Sequence, residues 1–101
     1  MEKCWILYIL QCADGTYYTG ITDDLPRRIA DHNAGRGAKY TRGRGPVKLC
    51  YSQNIGSKSD ALKEEYRIKQ LSRTQKAELC SKYLQEGVYD EVFFRYSRNN
   101  T

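Results

Sequence analysis

A single histidine, two prolines and no Cys-x-x-Cys pair are the clearest shortages in this sequence. With one histidine and four cysteines spread over positions 4, 12, 50 and 80, a tetrahedral zinc site is not expected. No apolar run approaches the roughly 18 residues that a membrane span needs, so no membrane association is expected. Met1 to Trp5 lead straight into a strand-like stretch without the layout of a signal peptide. Disulfides need an oxidising compartment, so the expectation is a cytoplasmic protein whose cysteines are reduced core residues. At 101 residues there is room for one domain, expected over residues 1–96 with 97–101 as a flexible tail, and none for a separate specificity domain.

What the chain does have is positive charge, a net +5, which favours a polyanionic partner. The distribution says more than the total. Arg36, Lys39, Arg42 and Arg44 crowd around Tyr40 in the glycine-rich stretch Gly35 to Pro46, while the acids mostly lie elsewhere. That stretch is expected to be a long loop that faces phosphates and grips a nucleic-acid strand, too rich in helix and strand breakers for regular structure.

Trp5 to Leu10 is a continuous apolar run rich in aromatic and β-branched residues, the pattern of a central strand. Ala13-Asp14-Gly15 supplies a turn, and Thr16 to Thr22 returns as the second strand of a hairpin. A short helix is expected over Leu25 to Asn33, with Thr22, Asp23 or Asp24 as N-cap, Pro26 in the first turn and Gly35 beyond the end. Alternation of Val47, Leu49 and Tyr51 predicts a third strand over Val47 to Gln53. Ser57 or Ser59 then caps a helix near Asp60 to Leu71, and Ser72 or Thr74 caps another near Gln75 to Glu86, closed by Gly87. Val92, Phe93, Phe94 and Tyr96 should pack down before the tail frays. The fold class is α+β, a three-stranded antiparallel sheet in the order ββα-loop-β-α-α, flanked by helices.

Stepping about 100° per residue along the second helix puts Glu65 between Ala61 and Ile68 on one side and Leu62 and Tyr66 on the other, in the middle of an apolar face. A carboxylate aimed inward needs a partner. A metal ion and a salt bridge to Arg28 or Lys69 are both open. Glu64 sits at the edge of that face, within reach of water. On the first helix Arg28 and His32 are spaced i, i+4 and project together beside the Leu25 and Ile29 stripe. Tyr8 and Tyr18 lie on the two hairpin strands, equally placed about the turn, and share a face if the register allows. Taken singly, each pattern also suits a solvated helix face or a core aromatic.

Together they are more specific. Leu7-Tyr8-Ile9, then Tyr18-Thr19-Gly20, Arg28-xxx-His32-Asn33 and a later inward Glu65 resemble the GIY-YIG nuclease superfamily over roughly residues 4 to 75. Gly37-Ala38, Thr41 and Gly43-Arg44-Gly45-Pro46 look like the loop of its flap and junction endonucleases and of small bacterial members made of this domain alone. The first motif keeps only its tyrosine, and Thr19 stands where the family pattern has isoleucine.

The resemblance implies a metal-dependent endonuclease with Tyr8, Tyr18, Arg28, His32 and Glu65 as catalytic residues and Arg36, Lys39, Tyr40, Arg42 and Arg44 binding nucleic acid, DNA being the expected substrate. Glu65 would hold one divalent cation, Mg²⁺ or Mn²⁺, because one carboxylate plus substrate oxygens suits a hard ion that keeps its waters. Arg28 would clamp the scissile phosphate. Tyr8 would activate water, relayed by His32, with Tyr18 orienting water or phosphate. A phenol ordinarily titrates near pH 10, so Tyr8 is expected to be brought down by the surrounding cations. So small a face is expected to act with a protein partner or as a homodimer. Two other readings remain open: a non-catalytic nucleic-acid-binding module of the same fold, and a protein-interaction domain whose basic loop docks on an acidic partner.

Overall fold

The structure, a computed structural model, describes residues 3–85. The expected packing of Val92 to Tyr96, the Gly87 cap and the tail at 97–101 lie outside the described residues. The elements are β1 (Trp5–Gln11), β2 (Tyr17–Thr22), α1 (Leu25–Asn33), β3 (Lys48–Gly56), α2 (Lys58–Lys69) and α3 (Arg73–Gln85), with one 3-10 turn at Lys39–Thr41. The sheet is antiparallel in the order β2-β1-β3.

β1 is apolar throughout because, as the central strand, it is covered on both faces. Tyr8 and Leu10 point to one side, into a cluster with Leu25, Ile29, Val47 and Leu49. Leu7 and Ile9 point to the other, against Cys50, Ile68 and Cys80. Thus α1 covers one face and α2 with α3 the other, and each fully buried aliphatic side chain contributes about 1.5–3 kcal/mol. At the hairpin turn Gly15 takes φ +84°, and Asp14 Oδ1 accepts from the Thr16 amide at 3.1 Å and its hydroxyl at 2.6 Å.

The first helix begins and ends where the sequence places it. Asp24 Oδ1 accepts from the Arg27 amide at 3.3 Å, and the chain leaves through Gly35 at φ +78°. Ser57 Oγ caps α2 through the Asp60 amide at 3.1 Å. Ser72 and Gln75 cap α3 reciprocally, at 3.1 and 2.9 Å.

Four expectations need correction. β3 runs on to Gly56 rather than stopping at Gln53, since Asn54 and Gly56 still pair with Ile6 and Trp5. The alternation of Val47, Leu49 and Tyr51 breaks at a register shift between Ile9 and Leu10, so Leu49 packs on the α1 side while Tyr51 packs on the α2–α3 side. Cys12, Cys50 and Cys80 are buried, but Cys4 is exposed, preceding the first paired residue of β1. On α2, Leu62 is 48% and Tyr66 71% exposed, because the helix rests on a narrow seam of Ala61 and Ile68. On the helical wheel Glu64 and Glu65 therefore flank that seam, about 50° to either side, and neither occupies its centre. No helix among the described residues is long and apolar enough to cross a membrane.

Candidate functional site

Register decides whether the two hairpin tyrosines meet. Tyr8 pairs with Gly20 and Leu10 with Tyr18, which puts both phenols on the α1 face as diagonal neighbours with ring centroids 6.3 Å apart. The absence of a side chain at Gly20 lets them lie so close: a Cβ there would sit 2.6 Å from Tyr8 Oη and 3.0 Å from Tyr18 Cε2. Tyr8 therefore lies across the β2 backbone.

The i, i+4 pair on α1 arrives over the same face. His32 is buried beside Ile29, its Nε2 3.0 Å from Tyr8 Oη and its Nδ1 2.8 Å from Thr41 Oγ1. Its ring lies 5.1 Å from that of Tyr18. Arg28 is half-buried, one turn back, close enough to the Tyr8 and Tyr18 phenols for its charge to bear on both. The charge of Glu65, on the opposite layer, is the smallest of the influences felt at Tyr8, whereas Glu64, on the other flank of α2, is felt at Tyr51 and pairs with Arg67. Side-chain exposures of 19% for Glu65 and 24% for Glu64 hardly separate them; direction does. Of the two salt bridges considered for Glu65, the one to Lys69 forms, at 3.6 Å. As a rim-side i, i+4 pair it contributes only about 0.3–0.5 kcal/mol and does not tie the carboxylate down.

Burial governs the protonation states. It pushes the Tyr8 phenol up to about 12, against the lowering effect of Arg28, with the charges of Tyr18 and Glu65 adding to the rise. The expectation that cations would bring this phenol down is therefore corrected: desolvation outweighs Arg28. The His32 imidazole is pushed down to about 4, by burial first and the Arg28 charge second, with Asp31 partly opposing them. At neutral pH the site holds a neutral phenol against a neutral imidazole.

A stability prediction follows for His32. The unfolded chain takes up this proton near pH 6.5 and the folded chain near 4, so between those values acid favours unfolding. Stability present above pH 6.5 should fall by on the order of 3 kcal/mol by about pH 4. Urea unfolding of wild type and His32→Gln across this range checks it; equal pH slopes for the two proteins would refute it.

The cationic loop is more ordered than its composition indicates. Arg44 forms an ion pair with Asp14, stacks its guanidinium 4.6 Å from the Tyr40 ring centre and offers its carbonyl to the Ala13 amide at 2.8 Å. Tyr40 in turn stacks on Tyr18, 6.0 Å between centroids at 27°, extending the aromatic row outward to an exposed edge. Asn33 Oδ1 holds the far end of the loop through the Val47 amide at 2.8 Å. Arg36 pairs with Asp31 at 3.4 Å. Of the four loop cations, then, Arg36 and Arg44 are committed within the protein, and Lys39 and Arg42 have no carboxylate partner among the described residues. Sequence reasoning had quoted Gly20, Gly37 and Thr41 only as motif letters. Gly37 lies flat against the His32 ring, where a Cβ would overlap Nδ1 and Cγ. The one signal for these three residues was their place in the resemblance.

A family model described as the GIY-YIG catalytic domain matches residues 4–78. A UPF0213 protein of Halobacterium salinarum is 62% identical over 73 residues, covering 72% of this chain and 95% of that protein. One from Desulfotalea psychrophila is 55% identical over 94 residues, 92% of this chain and 84% of its own length. Among solved structures, the solution structure of a UPF0213 protein from Bacillus halodurans is 49% identical with a TM-score of 0.51, covering 85% of this chain and 89% of that one. An E. faecalis protein is 37% identical with a TM-score of 0.54, covering 90% and 95%.

Proposed function

Given that this chain belongs to the GIY-YIG family, a nuclease superfamily, we propose that it is a divalent-cation-dependent endonuclease that hydrolyses phosphodiester bonds in DNA, branched or single-stranded. The observation that carries this reading is convergence. Tyr8, Tyr18 and His32, from two strands and a helix, form one contact cluster, and the charge of Arg28 and, more weakly, that of Glu65 bear on its Tyr8 phenol.

Arg28 binds the scissile phosphate, its planar fork matching two non-bridging oxygens and offsetting the charge that grows on them. Tyr18, beside it, orients the phosphate or the attacking water. Tyr8 takes the proton of that water as its own passes to His32, so that no free phenolate forms, and the bound phosphate anion offsets the positive charge that burial and Arg28 otherwise disfavour on the imidazole. Glu65 would hold one Mg²⁺ or Mn²⁺, which when bound would supply positive charge to the leaving oxygen. The donor chemistry suits such an ion: one carboxylate, tied only to the rim-side Lys69, fits a hard cation that keeps most of its waters. Lys39 and Arg42 grip the strand, with Tyr40 as a stacking edge. Products carry 5′-phosphate and 3′-hydroxyl ends. A face with so few unpaired cations gives modest affinity, which delivery by a protein partner or dimerisation would raise.

The test is cleavage of end-labelled single-stranded, duplex, flap and junction DNA and RNA with Mg²⁺, with Mn²⁺ and with chelator, comparing wild type with Glu65→Gln. Wild type should cut at least one DNA, chelator should stop it, and Glu65→Gln should lose on the order of 10³-fold in rate while staying folded and bound. If both proteins bind nucleic acid and neither cuts, the domain is a binding module instead.

A further inference from the structure

We infer that Thr41 is a positioning residue that fixes His32 as the Nδ1–H tautomer, leaving the Nε2 lone pair to receive the Tyr8 phenolic proton. The inference goes one step beyond the proposed function and rests on that reading for its consequence in cleavage. The tautomer itself follows from counting donors and acceptors along a buried chain of contacts.

At one end, Thr41 Oγ1 lies 2.9 Å from the Ala38 carbonyl and 2.8 Å from His32 Nδ1. The hydroxyl has one proton, and the carbonyl can only accept. If that proton went to Nδ1, two lone pairs would face each other between Oγ1 and the carbonyl, in a spot where Thr41 is 1% exposed. With the proton on Nδ1 every group is satisfied: Nδ1–H donates to Oγ1, and Oγ1–H donates to the Ala38 carbonyl.

At the other end this tautomer leaves Nε2 bare, so the buried phenolic proton of Tyr8 points at a lone pair 3.0 Å away. Turning the ring over would put carbon where its two nitrogens now meet Tyr8 and Thr41 and lose both contacts. Hence the cationic loop does more than face phosphates. Its 3-10 turn presents the hydroxyl that decides which imidazole nitrogen meets Tyr8, as the outer partner of a metal-bound histidine sets that ring's tautomer.

The chain has a single histidine, so its two ring nitrogens can be read without ambiguity by nitrogen NMR of protein labelled with ¹⁵N-histidine at neutral pH. Wild type and Thr41→Ser should show a protonated, pyrrole-type Nδ1 and a bare, pyridine-type Nε2. Thr41→Val keeps the volume and the backbone amide but removes the hydroxyl, and should shift the ring toward the Nε2–H form that neutral imidazole ordinarily prefers. In cleavage, Thr41→Val should lower kcat by roughly 10–100-fold with KM little changed, and Thr41→Ser should restore kcat to within a few-fold. A wild-type spectrum with hydrogen on Nε2 overturns the inference by itself, even if the valine variant does not fold. So does a folded Thr41→Val protein with unchanged nitrogen shifts or unchanged kcat. The spectra need no substrate. If no variant or wild type cuts anything, the nuclease reading fails and the spectra still decide the role of Thr41.

Discussion

Arg28→Lys is expected to lower kcat/KM for cleavage by on the order of 10²–10³-fold, most of it in kcat, while nucleic-acid binding changes by no more than a few-fold. The charge survives this substitution and the geometry does not. Arg28 sits half-buried on α1, where its charge bears on the Tyr8 and Tyr18 phenols and its planar fork can face two phosphate oxygens. An ammonium has three donors on a flexible stem and no plane, and it cannot match two phosphate oxygens in the same way. Single-turnover cleavage and a filter-binding titration, both at one stated salt concentration, separate the two effects. Retention of kcat/KM to within about ten-fold would mean that only the charge is used, and the phosphate-clamp role would fall.

Gly20→Ala is expected to destabilise the fold by about 1–3 kcal/mol and to remove cleavage along with it. The added methyl would lie 2.6 Å from Tyr8 Oη and 2.7 Å from Cζ, inside any tolerable contact, and Tyr18 closes the remaining side at 3.0 Å. Two responses are open to the protein. Either the Tyr8 ring swings away and gives up its hydrogen bond to His32, or β2 moves outward and strains its pairing with β1. The first leaves a buried imidazole nitrogen unpartnered; the second disturbs the hairpin on which the site is built. Urea unfolding and the cleavage assay report the two losses together. A variant with wild-type stability and wild-type rate would show that Tyr8 does not need its place over the β2 backbone.

The hairpin, the first helix and the sheet topology were legible because their causes are local. An apolar run with an Asp-Gly turn makes β1 and β2, and an Asp24 cap with Pro26 in the first turn starts α1 where the sequence places it. The same local logic set Arg28 and His32 on one helical face. It also made a shared face for Tyr8 and Tyr18 conditional on a register, which the structure supplies.

Other features depend on what faces what across the molecule. The bulge that turns Tyr51 away from Leu49 arises between two strands, and no single-strand pattern encodes it. Leu62 and Tyr66 read as core because hydrophobicity was counted on the helix alone, whereas Ala61 and Ile68 make so narrow a seam that their neighbours stay wet. Arg36 and Arg44 read as free cations, yet each found a carboxylate, Arg44 across 30 residues of sequence.

By itself, then, the sequence determined which residue types are available and in what order: two phenols on a hairpin, an arginine and a histidine one turn apart, and Glu65 rather than Glu64 as the inward carboxylate of a later helix. Only the tertiary structure decided that the two glutamates flank a narrow seam on α2, that the phenol is held protonated, and that Thr41 and Gly37 enclose the imidazole. The physical reason is that periodicity, capping and turn chemistry act over a few residues of chain. Burial and hydrogen-bond direction, by contrast, are set by groups that come together only when the layers close.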